Sequence, residues 1–248
     1  MRYNEAMRQF LIWLFPVLII VFISALLPEG LYANSLPQVS QKKVVFLTFD
    51  ADMTRHMMLE QKAGIVKQWY DPALIQYLKD NSIPATFFVT GMFANMYSDL
   101  VRSLGTNPNF SIQNHTYSHL AFEPKCFNLI FAGSDNQKRL QISRTQNILK
   151  SLIGHLPEYF RYPGLCHTTS SDALVTSMGL ALAQGEFSSG DAYMKNPETI
   201  MNNVLRNLNQ GKRVVVFHLG NIKTPETLAA LKLLIPKLKE LGYSLEHL

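Results

Sequence analysis

From residue 43 onward, short apolar runs alternate with longer stretches whose apolar positions recur every three or four residues. Val44–Phe49, Pro84–Val89 and a weaker run over Asn109–Gln113 read as strands rich in β-branched and aromatic residues. Glu158–Tyr162, Leu180–Gln184, Arg213–Phe217 and Tyr243–Leu245 complete the strand set. Between them, residues 72–80, 137–153, 197–209 and 225–240 carry helical spacing. Asp71-Pro72, Asn196-Pro197 and Thr224-Pro225 each place a capping side chain before a proline. Proline at the first helical position gives up an N–H that had no partner there. Strands alternating with helices predict a parallel sheet with helices packed outside it. Periodicity alone allows an open sheet or a closed barrel.

Residues 10–27 break this pattern: they are almost wholly apolar and follow Arg2 and Arg8. A charged start and an apolar run form an export leader, and Leu31-Tyr32-Ala33 offers a cleavage site. The predicted organisation is a leader over 1–33, a polar linker over 34–42 and one domain over 43–248, long enough to bury a core. The apolar run is also long enough to span a bilayer, so an uncleaved anchor is the alternative. Both readings put the domain outside the cytoplasm, as a periplasmic, secreted or membrane-anchored protein. The net charge of +5 is scattered, with no basic stripe interleaved with aromatics, which argues against nucleic acid. Two cysteines, Cys126 and Cys166, are too few for a disulfide framework. One bond and two buried thiols both remain open.

Four segments near the ends of apolar runs carry candidate chemistry: Thr48-Phe49-Asp50-Ala51-Asp52, His115-Thr116-Tyr117-Ser118-His119, Arg161-Tyr162-Pro163-Gly164 and Phe217-His218-Leu219. His115 and His119 are four apart, a spacing that on a helical turn lets two imidazoles grip one ion. Asp52 would complete a three-ligand site with an open position, the pattern of catalytic zinc, with cobalt or nickel as alternatives. Asp50 reads as general base for an attacking water, and Arg161 as the cation that pairs with it and stabilises its carboxylate. His218, closing an apolar strand, reads as general acid. His56 and His167 lie beside motifs and read as loop histidines or auxiliary contacts.

In this order and spacing the four segments resemble the polysaccharide deacetylase family, carbohydrate esterases with a NodB-homology domain, over roughly residues 43–248. The resemblance implies an α/β fold, a distorted (β/α) barrel in a single domain. It implies removal of N-acetyl groups from a glycan: a chitin-type oligomer, peptidoglycan or an exopolysaccharide. It also implies that Asp191 tunes His218, although Asp191 equally suits an ordinary turn. Three departures stand out. The family's Asp-Asp-Gly is Asp50-Ala51-Asp52 here, its Arg-x-Pro-Tyr ends in Gly164, and its Asp-Trp is Asp191-Ala192-Tyr193. If the residue at 164 serves by its backbone N–H toward an oxyanion, glycine can supply it. The alternatives are an O-acetyl esterase or other amide hydrolase, and a catalytically silent glycan-binding module.

Overall fold

The structure, a computed structural model, describes residues 43–220 and 224–248. The predicted leader and linker lie outside the described residues. In chain order the elements are β1 (Lys43–Ala51), α1 (Arg55–Lys62), α2 (Pro72–Asp80), β2 (Ala85–Val89), α3 (Gly91–Met96), α4 (Ser98–Gly105), β3 (Phe110–Asn114), α5 (Asp135–Ile153), β4 (Tyr159–Phe160), α6 (Thr169–Thr176), β5 (Ala181–Leu182), β6 (Phe187–Ser188), α7 (Pro197–Asn209), β7 (Val214–His218), α8 (Thr227–Glu240) and β8 (Tyr243–Glu246). The strands pair in parallel in the order β5-β4-β3-β2-β1-β7-β6, and β8 pairs with the first half of β1. The sheet curls into an incomplete barrel. β5 and β6 are its edges, and residues 183–186 cross the opening between them.

The pleat of β1 sets the two faces. Val45, Leu47, Phe49 and Ala51 belong to one apolar core with Leu74 and Leu78 of α2 and Leu231 and Leu234 of α8. Phe49 stands in register with Phe87 and Phe217 and stacks between them, with ring centroids 5.6 Å away on each side. Thr48 and Asp50 alternate onto the other face, where Thr48 Oγ1 donates to Val215 O at 2.7 Å. The barrel is therefore apolar outside, beneath its helices, and mixed within, where Phe88 and Val216 stand in register with Asp50 and Thr48.

The predicted strands are present, with shifts that matter locally. The third runs one residue later than the apolar pattern suggests, to Asn114. The fourth stops at Phe160, so Arg161 stands just beyond it and not inside it. Leu180–Gln184 contracts to Ala181–Leu182. The two-residue β6 and the short helices α1, α3, α4 and α6 do not last long enough to declare a period. Asp71 and Asn196 cap α2 and α7 as predicted. Thr224-Pro225 does not start α8, which begins at Thr227 after a turn. Cys126 and Cys166 form a disulfide. This bond ties the loop after the histidine pair to the segment after Pro163.

Phe49→Ala leaves two rings facing a void in the middle of this stack. Urea denaturation should show a loss of about 3–5 kcal/mol of unfolding free energy. A loss below about 1 kcal/mol would mean the stack is not the keystone of the outer core.

Candidate active site

Asp50 is in register with His218 on β7, so both side chains leave the same face of adjacent strands at their carboxyl ends. Parallel α/β folds collect chemistry at that end. Asp50 Oδ1 accepts a hydrogen bond from an Arg161 guanidinium N–H at 2.8 Å, and its Oδ2 lies 3.8 Å from His115 Nε2. Ala51 points the opposite way, into the apolar core. Asp52 returns to the polar face. An acid at position 51 would be driven into the core in this register, so the second carboxylate sits one residue along.

The histidine pair is not on a helix, contrary to the reading of its spacing. His115 directly follows β3, and the chain bends through left-handed Thr116 (φ 66°) and His119 (φ 59°). Such backbone persists for a β-branched residue only where its surroundings impose it. Three groups do so here. Asn114 Oδ1 accepts from Thr116 N–H. Gln141 Oε1, from α5, accepts from the N–H groups of Tyr117 and Ser118 at 3.0 and 2.9 Å. The first N–H groups of α3, on Gly91 and Met92, donate to the carbonyls of Thr116 and Tyr117. Gly91 is required at that contact, because a Cβ there would lie 2.5 Å from the Tyr117 ring.

The loop aims both imidazoles at Asp52. His115 Nδ1 lies 2.9 Å from the Arg161 carbonyl, to which its N–H donates, leaving Nε2 as the lone-pair nitrogen. His115 Nε2 and His119 Nε2 each lie 3.3 Å from Asp52 Oδ1. One donor atom from each of the three residues falls within 4.8 Å of the others. Asp52 Oδ1 and His115 Nε2 are buried and face each other without hydrogen-bond geometry. Unpaired buried lone pairs are costly, and a divalent cation resolves that cost. Two nitrogens and one carboxylate oxygen suit zinc or a similar ion better than calcium or magnesium.

Charge in the cluster is tightly linked. Burial works to raise the Asp52 carboxyl, but His119, His115 and His218 outweigh it and hold it far below the usual range. Burial pushes His119 down, toward the neutral form that can ligate. His115 is pushed up because Asp50 and Asp52 outweigh its burial.

His218 presents a separate arrangement. Its Nδ1 lies 2.9 Å from Asp191 Oδ1, and its backbone N–H donates to Asp191 Oδ2 at 2.7 Å. Asp191 is fully buried and also accepts from Thr227 Oγ1 at 2.9 Å. It is therefore a partner of His218 and not a free turn residue. Burial alone would push the His218 imidazole down. The Asp191 hydrogen bond, the Asp191 charge and the charges of Asp52 and Asp50 reverse this and push it up to about 10. Its Nε2 is left facing the cluster, 3.9 Å from Asp52 Oδ2.

All seven residues singled out in the sequence for catalysis or metal binding thus converge. Gln141 and Thr227 were missed. Gln141 is one polar residue in a long polar helix, and Thr227 is a helix-start hydroxyl, so only the fold reveals what either one holds. His56 pairs locally with Glu60, and His167 sits on Asp172 while stacking on Tyr162.

A family model described as polysaccharide deacetylase matches residues 38–183. A peptidoglycan-N-acetylglucosamine deacetylase of Bacillus cereus is 29% identical over 70% of this chain and 60% of its own length. The chain thus spans well under the full length of that relative. A chitooligosaccharide deacetylase of Azorhizobium caulinodans is 27% identical over 71% of this chain and 85% of its own. A solved peptidoglycan N-acetylglucosamine deacetylase superposes with TM-score 0.68 at 26% identity, covering 84% of this chain and 87% of that one. A Bacillus anthracis pseudoenzyme of carbohydrate esterase family 4 shares the fold, with TM-score 0.66 at 20% identity, over 84% of this chain and 64% of its own.

The His218–Asp191 pair is testable in metal-free protein. The His218 imidazole should titrate near 10, and Asp191→Asn should return it toward the ordinary 6.5, as followed by NMR. The raised histidine contributes stability that is complete below 6.5 and lost as pH climbs through 10. The depressed Asp191 contributes stability present above 3.8 and lost in acid. A wild-type His218 titrating at 6.5 would show that the pair is not formed in solution.

Proposed function

The chain belongs to the polysaccharide deacetylase family, and from that premise we propose that it is a metal-dependent hydrolase removing N-acetyl groups from an N-acetylated glycan. The observation that carries this reading is the convergence of Asp52, His115 and His119 between a carboxylate held by Arg161 and an imidazole held by Asp191. A divalent ion held by those three residues would lower the pKa of water and polarise the acetyl carbonyl. Asp50 would take the proton of the attacking water. Its Oδ1 is committed to Arg161, which leaves Oδ2 for that work. His218, whose charged form Asp191 favours, would deliver a proton from Nε2 to the departing amine as the carbon–nitrogen bond breaks. Water and amide become acetate and amine, with Asp50 and His218 exchanging the proton balance.

Both curated relatives are named for glycans built on N-acetylated amino sugars, and that is the substrate class assigned. Zinc is the preferred ion, with cobalt and nickel as alternatives. Removal of an O-acetyl group by the same residues is the competing chemistry. The predicted leader supports export to the periplasm or beyond, or anchoring at a membrane. Among the described residues no helix is long and apolar enough to cross one. A silent glycan-binding module is the second reading, favoured by Ala51 in the family's acidic position and by the pseudoenzyme among the structural neighbours. Asp52 answers the first point by bringing a second carboxylate to the histidine pair. Keeping a buried Arg161–Asp50 pair and unpaired ligand atoms costs stability that binding alone gives no reason to bear.

Acetate release from chitin oligomers, peptidoglycan and N-acetylated exopolysaccharide should be abolished by chelation and restored by zinc or cobalt. Full activity in metal-free protein would rule the mechanism out, and glycan binding with no acetate under any metal would establish the silent module. Asp50→Asn should keep the metal and lose roughly 10²–10⁴-fold in kcat. His115→Ala and His119→Ala should empty the site. If Asp50→Asn empties it while Asp52→Asn leaves it full, the two acids have exchanged roles.

Gln141→Ala tests the loop itself. Freed from α5, the histidine pair should bind zinc about 10–100-fold more weakly by competition titration, with the ligands untouched. Unaltered affinity would mean the loop is held without Gln141.

A further inference from the structure

Asp191, the partner of His218, is fully buried just after β6. Its backbone is fixed from two sides. Ser189 Oγ accepts the Asp191 N–H at 3.2 Å, and Asn203 Nδ2 of α7 donates to the Ser188 and Ser189 carbonyls at 3.1 and 2.9 Å. Those bonds do not set the rotation of the carboxylate about its own axis. The bonds to its oxygens do. Oδ1 takes the His218 ring N–H, and Oδ2 takes the His218 backbone N–H. Both donors belong to the residue being positioned. The third comes from another element: Thr227 Oγ1, at the first residue of α8, lies 2.9 Å from Oδ2.

Thr227 is as completely buried as Asp191. Its hydroxyl also lies 3.0 Å from the Thr224 carbonyl, but it has one proton to give. An ionised carboxylate is the stronger acceptor, so that proton goes to Asp191. Among the described residues no side chain caps the start of α8. The carboxylate thus stands at the first turn of a 14-residue helix, whose N-terminal end favours negative charge. Hydroxyl and helix hold Oδ2 and leave Oδ1 to the imidazole.

We propose that Thr227 is a positioning residue for the reaction: its hydroxyl fixes the rotation of the Asp191 carboxylate, and through it the direction in which His218 presents Nε2. This rests on the hydrolase reading above. Without the hydroxyl, the carboxylate keeps its bonds to His218, and acid and partner can tilt together. A proton is passed along one line to the leaving group, so a small tilt costs turnover while the rest of the site stays intact.

The test compares wild type, Thr227→Val and Thr227→Ser, each loaded with zinc, on the N-acetylglucosamine pentamer and on p-nitrophenyl acetate. Valine keeps the shape and removes the donor, and serine keeps the donor. Outright loss of a general acid costs roughly 10²–10⁴-fold, and loss of its support should cost about tenfold. Thr227→Val should therefore lower kcat on the pentamer with little change in KM. The ester, whose leaving group needs no proton, should change by less than about twofold. Thr227→Ser should recover most of kcat. A second readout needs no turnover. In metal-free protein the His218 Nδ1 proton should give a far-downfield NMR signal that Thr227→Ser keeps and Thr227→Val weakens or moves upfield. Equal losses on pentamer and ester, or no loss on either, overturn the proposal. Should Thr227→Val not fold, Thr227→Ala is read against Thr227→Ser by the same two measures. If wild type releases no acetate with any metal, the hydrolase reading falls and the NMR signal decides: an unaltered signal in Thr227→Val overturns the role of Thr227 as well, and an altered one sustains it.

Discussion

The ion pair between Arg161 and Asp50 is the constraint around which the rest is arranged. Arg161 is completely buried, and its guanidinium lies 3.9 Å over the Phe88 ring centroid. Its Nε donates to the Ala183 carbonyl at 3.0 Å, and its own carbonyl fixes the His115 tautomer. One residue thus ties together β1, β2, the segment that crosses the barrel opening and the histidine loop. Burying a charge costs several kcal/mol unless geometry and partners repay it. That demand is met by the polar groups of the sheet's inner face, which the outer face lacks. It also explains the narrow approach at Gly185, where a Cβ would lie 2.3 Å from Val216 Cγ2 and 3.4 Å from the guanidinium.

Much of this was legible in the chain because its signals are local and periodic. The four motif segments each lie at or just past the end of a readable apolar run, and parallel strands bring their carboxyl ends to one rim. The alternation of a strand also made it legible that Asp50 and Asp52 face the same way. What escaped was whatever depends on distant partners. The spacing of His115 and His119 suggests a helix, since four residues make about one turn. The observed bend rests on Asn114, Gln141 and the start of α3, none of which a local reading weighs. The two-residue β6 and the helices of six to eight residues fail for a simpler reason: one repeat of a strand or about two turns of a helix hardly declare a period.

The family pattern and this chain differ at Ala51, and the fold turns that difference into a rearrangement. Adjacent residues of a strand point to opposite faces. Asp50, Ala51 and Asp52 therefore alternate inward, outward and inward, and the outward place is filled by the small residue the core accepts. The same economy appears at Gly164, where a missing side chain and a bonded loop fill one volume between them. Ala51 faces the apolar core and Gly164 brings no polar side chain, so both departures leave the set of polar groups intact.

The place of β1 in the sheet bears on how the molecule comes into being. It is the first described strand to be made, yet it lies at the centre, bonded to β7 and β8 from the far end of the chain. Thr48 closes its hydrogen bond with a residue 167 positions later, and the backbone of Leu248 bonds to Thr86 across 162. Contacts of that span repay their loop-closure cost only once both partners exist. β2 can join β1 early, but β7 and β8 follow it by most of the described chain, so the sheet around β1 is complete only after that later chain has been made.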